Sequence, residues 1–276
     1  MEVGNPEQQY SVKVADTPID RDRLRAQLEE LGLRRGMTVL VHCSMSRIGW
    51  VDGGAGTLRE ALRDVLGRYR GTVVVPTQTR SKSATSTEYQ KATEGFGYEE
   101  LKLHDKILPG FNARRSPAED MGVFAEAVRT HPWARRSPHP TTSFAAVGRR
   151  AGRLCAEHPL DCLLGPRSPL GRLAELDARV LLLGVGFDKC TAFHLGEDRC
   201  FDEKRPYRCK IEDSWIEFNG FPHRDDDFTE LGRRFLAAHP DAVRQGPVGE
   251  APSSLFPLNL AADFAEKELP ELRFAR

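Results

Sequence analysis

The sequence lacks the marks of an exported, membrane-bound or nucleic-acid-binding protein. Only six cysteines occur in 276 residues (Cys43, Cys155, Cys162, Cys190, Cys200 and Cys209), and none form a CxxC pair. Neither a disulfide scaffold nor a paired-cysteine metal site is expected from so few. Net charge is also missing: 40 Lys and Arg balance 40 Asp and Glu with histidine taken as neutral, whereas a dedicated nucleic-acid binder carries a basic excess or patch. No apolar run approaches the roughly 20 residues of a membrane helix; the best, Val180 to Leu183, stops at Gly184. Met1 to Asp16 has no basic start, apolar centre or small-residue cleavage pattern, so residues 1–17 read as a frayed tail and not as a targeting signal. These absences predict a soluble cytoplasmic protein with reduced thiols and no nucleic-acid or membrane partner.

What is present is an alternation of helical and strand patterns. Leu24, Leu28 and Leu31 recur at helical spacing, with Asp20 placed as N-cap and Gly32 as stop. Thr38 to Cys43 reads as a buried strand, the stretch from Gly53, Gly54 and Gly56 through Leu58, Leu62, Val65, Leu66 and Tyr69 as a helix, and Thr72 to Pro76 as a second strand. That succession predicts an α/β fold, a single layered domain over residues 18–276 with a central mixed, largely parallel sheet flanked by helices. From Arg80 to Asp120 the pattern dissolves, and the segment is expected as a structureless surface excursion beside a site. Helix is expected again at Met121 to Thr130, a short strand at Ser143 to Gly148 and a helix at Arg149 to His158. Ala178 to Gly186 lacks polar alternation and should be covered on both faces. A hairpin at Arg208 to Glu212 and Trp215 to Phe218, and helices at Phe228 to His239 and Leu258 to Leu269, complete the expectation.

Three segments concentrate groups that a core has little use for. Val41 to Thr57 sets the hydroxyls of Ser44 and Ser46 and a run of glycines between a strand end and a helix start, a geometry that suits phosphate, although no P-loop or GxGxxG spacing is present. Arg135 to Phe144 holds His139 before Pro140 in a preset loop beside a basic pair. Leu183 to Glu197 leaves a strand through glycines and enters a helix on which His194 and Glu197 are three residues apart, hence on one face. A carboxylate beside an imidazole orients the ring and suits it to general-base work near neutral pH. Asp188 and Thr191 could cap that helix. An ordinary strand-to-helix turn, a basic-rimmed surface loop and a capped helix start with an incidental His–Glu pair account for the same three segments. Cys190, four residues before His194, raises a thiol-dependent acyl hydrolase or transferase as an alternative. His194, Glu197 and Cys200 lack a metal-site frame, so no metal is expected.

Taken together these segments resemble the aminoglycoside 3-N-acetyltransferase family, antibiotic N-acetyltransferases unrelated in fold to the GNAT enzymes. The resemblance is carried by His42 to Gly49 with Gly53, Gly54 and Ala55; by Arg136 to Ser143 with Gly148; by Ser168 to Leu173; by Val180 to Gly186, Asp188 and Thr191 to Glu197; and more weakly by Gly246 to Ala251. It implies an acyltransferase of the antibiotic-resistance type, moving acetyl from acetyl-coenzyme A to the 3-amino group of an aminoglycoside's deoxystreptamine ring, or to a related amine. It further implies His194 as general base and Glu197 as its orienting carboxylate. Ser44, Ser46, Gly54, His139, Ser143 and Thr191 would then lie on the coenzyme side. A polycationic acceptor calls for acidic groups, and the candidates are Asp52, Asp188 and Asp225, with Asp120, Glu212, Asp226 and Asp227 behind them. A non-catalytic coenzyme-binding protein is the remaining alternative.

Overall fold

The computed structural model describes residues 17–274; the expected tail, residues 1–17, lies outside them except for Thr17. In chain order the elements are α1 (Arg21–Leu31), β1 (Thr38–Cys43), α2 (Met45–Ile48), α3 (Gly54–Leu66), β2 (Thr72–Pro76), α4 (Thr87–Ala92), α5 (Tyr98–Ile107), α6 (Gly122–Arg129), β3 (Arg135–Arg136) and β4 (Phe144–Gly148). There follow α7 (Ala151–Cys155), α8 (Pro169–Glu175), β5 (Arg179–Leu183), α9 (Ala192–Cys200), β6 (Arg205–Ile211), β7 (Ser214–Gly220), α10 (Phe228–Ala238), β8 (Arg244–Val248), β9 (Ala251–Pro257) and α11 (Leu258–Phe274). The ends of α1 are chemically explicit. The Asp20 carboxylate accepts from the Arg23 N–H, and Gly32 closes the helix with φ of 112°, a left-handed value that glycine adopts without a Cβ penalty.

Seven strands form one sheet in the order β3-β4-β2-β1-β5-β9-β8, and β6 and β7 pair separately as the expected hairpin. The mixed α/β architecture is the expected one, but the sheet is parallel only at its centre. There β1 pairs with β2 and with β5, while β2–β4, β3–β4, β5–β9 and β8–β9 are antiparallel. Antiparallel partners entered through segments without a clean strand signal: Arg244–Val248 contains Gly246 and Pro247, and Ala251–Pro257 contains two prolines and two serines.

Alternation along the strands divides the core in two. Leu40, Val74, Val180, Leu182 and Phe256 face one way and pack with residues of α7 to α11. Val39, Val41, Val73, Val75, Leu181 and Leu183 face the other and pack with α1, α3 and α6. This explains the unbroken apolar run in β5, which is covered on both faces as expected. Tyr69 lies beyond the end of α3 and is 80% exposed, so it does not join the core expected of it. The excursion after Arg80 is not structureless either. It folds into α4 and α5 and docks on the hairpin through polar contacts: Asp105 accepts from Tyr89 and Arg208, and the buried Lys210 ammonium donates to the carbonyls of Asp105 and Lys106 at 2.6 and 3.0 Å. Helix α5 buries no side chain, which is why no apolar periodicity announces it.

Helices α9 and α11 approach most closely at Gly196. A methyl group added there would overlap the Ala262 carbonyl oxygen and crowd the Glu266 nitrogen and the Ala265 Cβ, at 2.6 and 2.7 Å. Backbone atoms of α11 cannot swing aside as a side-chain tip would, so the helices must separate. Gly196→Ala is expected to lower stability by about 1–3 kcal/mol, read as a reduced urea midpoint at unchanged m-value.

Candidate active site

The loops after β1, β2 and β5 leave the carboxyl ends of the parallel strands, the edge where open α/β sheets collect ligands. They surround a cleft of about 530 Å³ whose walls include Ser44, Ser46, Asp120, Asp188, Thr191 and His194. A second cavity of about 270 Å³ is walled by Ser86, Glu88, Thr142, Arg205, Tyr207 and His223. Gln78, Arg80, His194 and Asp225 line both, so His194 stands where the two spaces meet.

The His194 ring is held from one side. Its Nδ1 lies 2.7 Å from Oε2 of Glu197, the pairing expected from their three-residue spacing on α9. With the carboxylate ionised, Nδ1 must donate, and Nε2 is left with a lone pair to accept a proton. Glu197 itself is fully buried. Its other oxygen, Oε1, accepts from the Arg224 N–H at 3.0 Å and from Arg273 Nη1 at 2.8 Å. A buried charge is costly unless paired and hydrogen-bonded, and here both oxygens are satisfied by donors from separate segments.

Two further imidazoles flank His194. His223 packs edge-on with ring centroids 5.0 Å apart, and Phe228 lies against the ring at 4.6 Å. Burial, and secondarily the nearness of His194, pushes His42 down to about 4 and His223 well below the usual histidine range. Both are neutral at physiological pH, so they enclose His194 without adding charge.

The structure gathers some of the expected site residues and separates others. Ser44 and Ser46, their hydroxyls 3.2 Å apart, line the cleft with Asp188, Thr191, Asp225 and His194. Gly54 opens α3 and Asp52 precedes it on the surface; neither lines a cavity. His139 and Ser143 are fully buried and also line neither. The His139 Nδ1 accepts from the N–H groups of Thr141 and Thr142, at 3.2 and 3.1 Å, while the Ser143 hydroxyl donates to the Thr77 carbonyl at 2.7 Å. They brace the loop that presents Thr142. Asp188 and Thr191 do not cap α9 through their side chains; Asp188 instead pairs with Lys189 at 3.2 Å. Asp120 lines the cleft with φ of 56°, a left-handed conformation that aspartate adopts more readily than most non-glycine residues. Glu212 sits in the hairpin turn, where Asn112 Nδ2 donates to it, away from either cavity.

Arg80, His223 and Arg273 are the residues that sequence reasoning did not place. Arg80 opens a single 3-10 turn, Arg80–Lys82, and His223 sits in a loop, neither with a periodic pattern, and Arg273 is 76 residues from its partner Glu197, beyond the reach of any local spacing rule. Among the described residues, no group of three or more His, Cys, Asp or Glu side chains could hold a metal ion, and no helix is long and apolar enough to cross a membrane. Cys190 is wholly buried, and that burial pushes its thiol up to about 12, the reverse of what a nucleophile needs. Iodoacetamide at pH 8 is therefore expected to modify Cys190 in denaturant and spare it in the native protein, with peptide mass mapping as the readout.

Comparison with known proteins identifies the family. The family model described as aminoglycoside 3-N-acetyltransferase matches residues 40–270. The aminoglycoside N(3')-acetyltransferase-like protein YokD of Bacillus subtilis is 37% identical over 256 residues, covering 91% of this chain and 92% of its own; its crystal structure superposes with a TM-score of 0.83 at 36% identity, covering 91% of this chain and 99% of that one. Aminoglycoside N(3)-acetyltransferase VII of Streptomyces paromomycinus is 36% identical over 275 residues, covering 92% of each chain. The structure of AAC-IIIb in binary complex with CoASH superposes with a TM-score of 0.79 at 31% identity, covering 93% of this chain and 98% of that one. The chain described here belongs to the aminoglycoside 3-N-acetyltransferase family, a family of acyltransferases.

Proposed function

We propose that this protein transfers the acetyl group of acetyl-coenzyme A to an amine of an aminoglycoside, at the 3-amino group of the deoxystreptamine ring, with His194 as general base and Glu197 as the carboxylate that orients it. The observation that carries the reading is the position of the His194–Glu197 pair, 2.7 Å apart, at the meeting of two cavities. Direct transfer needs both substrates present at once, one on each side of the base.

The chemistry follows from the groups at that junction. An ammonium has no lone pair, so it must lose a proton before its nitrogen can attack the thioester carbonyl carbon. Nε2 of His194 takes that proton, and Glu197 stabilises the imidazolium that results. The new N–C bond forms as the carbonyl π electrons move to oxygen, and the Thr191 hydroxyl, on the cleft wall just before α9, is the donor assigned to the oxyanion. Collapse of this intermediate breaks the C–S bond. The departing thiolate recovers a proton from the imidazolium, and the amide loses its remaining extra proton to solvent. With Ser44, Ser46 and Thr191 giving the larger cleft to the coenzyme, Asp225, which lines both spaces, and Glu88 in the smaller cavity offer carboxylates to a cationic acceptor. Product formation turns an ammonium into a neutral amide and weakens that attraction, which favours release.

The test is release of free coenzyme A thiol, followed with a panel of aminoglycosides. Turnover is expected with wild-type protein, and His194→Ala or Glu197→Gln is expected to lower kcat by about 10²-fold or more, with coenzyme A affinity by calorimetry little changed. Full activity of His194→Ala would sink the assignment of the base.

A further inference from the structure

In the proposed mechanism His194 uses one oxygen of Glu197, and Arg273 occupies the other. The Arg273 Nη1 donates to Glu197 Oε1 at 2.8 Å, Nε to Asp227 Oδ2 at 2.9 Å, and Nη2 to the Arg224 carbonyl at 3.1 Å. Its side chain is only 9% exposed. Although burial works against its charge, the carboxylates of Asp227 and Glu197 hold the guanidinium above its ordinary range. The residue lies in the last turn of α11, after Pro270. Proline removes a backbone donor and crowds the preceding turn, so the turn beyond it depends on other contacts. Here these are the burial of Leu272 and the bonds of Arg273.

We infer that Arg273 is a positioning residue for acetyl transfer: it pairs with the buried Glu197 carboxylate and keeps it aimed, and thereby decides which nitrogen of His194 carries the proton. The inference rests on His194 being the base. Without the guanidinium, Glu197 has no exposed surface and one backbone N–H on its outer oxygen, too few donors to replace the hydration a buried carboxylate has lost. A protonated Glu197 donates to Nδ1 where the carboxylate accepted from it. The imidazole proton then moves to Nε2, and the nitrogen that should accept from the substrate ammonium has no lone pair left. Asp227 acts one step further out by holding the guanidinium.

The experiment compares Arg273→Gln, Arg273→Lys and Asp227→Asn with His194→Ala in steady-state thiol release, alongside 15N NMR of histidine-labelled protein. Arg273→Gln is expected to reduce kcat by about tenfold to a hundredfold, with the KM for acetyl-coenzyme A nearly constant and the His194 signals moved from the Nδ1–H to the Nε2–H tautomer. Arg273→Lys, which keeps the charge, should restore part of kcat and the original tautomer; Asp227→Asn should cause a smaller loss in the same direction. Wild-type kcat and an unchanged tautomer in Arg273→Gln would overturn the inference. If that variant does not fold, the lysine and asparagine variants decide: wild-type turnover in both overturns it. Retained activity of His194→Ala would instead defeat the base assignment itself, so the two failures are distinct.

Discussion

One buried group ties the elements of the candidate site together: the Glu197 carboxylate, with no surface exposed to water. Burial of a charge costs several kcal/mol unless donors replace the lost hydration. The donors here come from three places in the chain, the His194 ring on α9, the Arg224 N–H in the loop before α10, and the Arg273 guanidinium near the end of α11. Each is fixed by its own element, so meeting the demands of one carboxylate also fixes the relative positions of α9, α10 and α11. The close contact at Gly196 is part of the same arrangement, since the absence of a side chain there lets the backbone of α11 come against α9.

The sheet supplies the second constraint. Its parallel centre directs three strand ends to one edge, and their loops open into a shared space. The antiparallel strands outside that centre are reached through long connections, and these carry the excursion of α4 and α5 and the hairpin, which add a wall that a simple doubly wound fold lacks. In consequence His194 has a space on either side. The imidazoles of His42 and His223 and the ring of Phe228 lie around it and leave its side chain largely enclosed.

Much of the fold was legible because burial imposes periodicity. Strands covered on both faces, such as Arg179–Leu183, read as unbroken apolar runs, and helices such as α1 carry their stripe and caps in the sequence. Where burial was weak or polar the signal failed. Helix α5 fully buries no side chain and reads as loop, and β8 and β9 carry glycine, proline and serine, yet β9 pairs along β5 and β8 along β9. The candidate site divides in the same way. The His194–Glu197 contact is a matter of helical spacing, whereas His139 looked like a ligand-facing group in a rigid loop and turned out to be that loop's internal brace.

The sequence by itself determined the α/β class, the register of buried faces and the pairing of His194 with Glu197, because each depends on residues within a few positions of one another. Only the tertiary structure decided the rest. Whether Asp188 and Asp225 share a space with His194 while Asp52 does not, and whether a guanidinium stands behind Glu197, depends on how distant segments cross. Loop paths and helix packing settle such crossings, and they answer to the whole core at once and not to any local pattern.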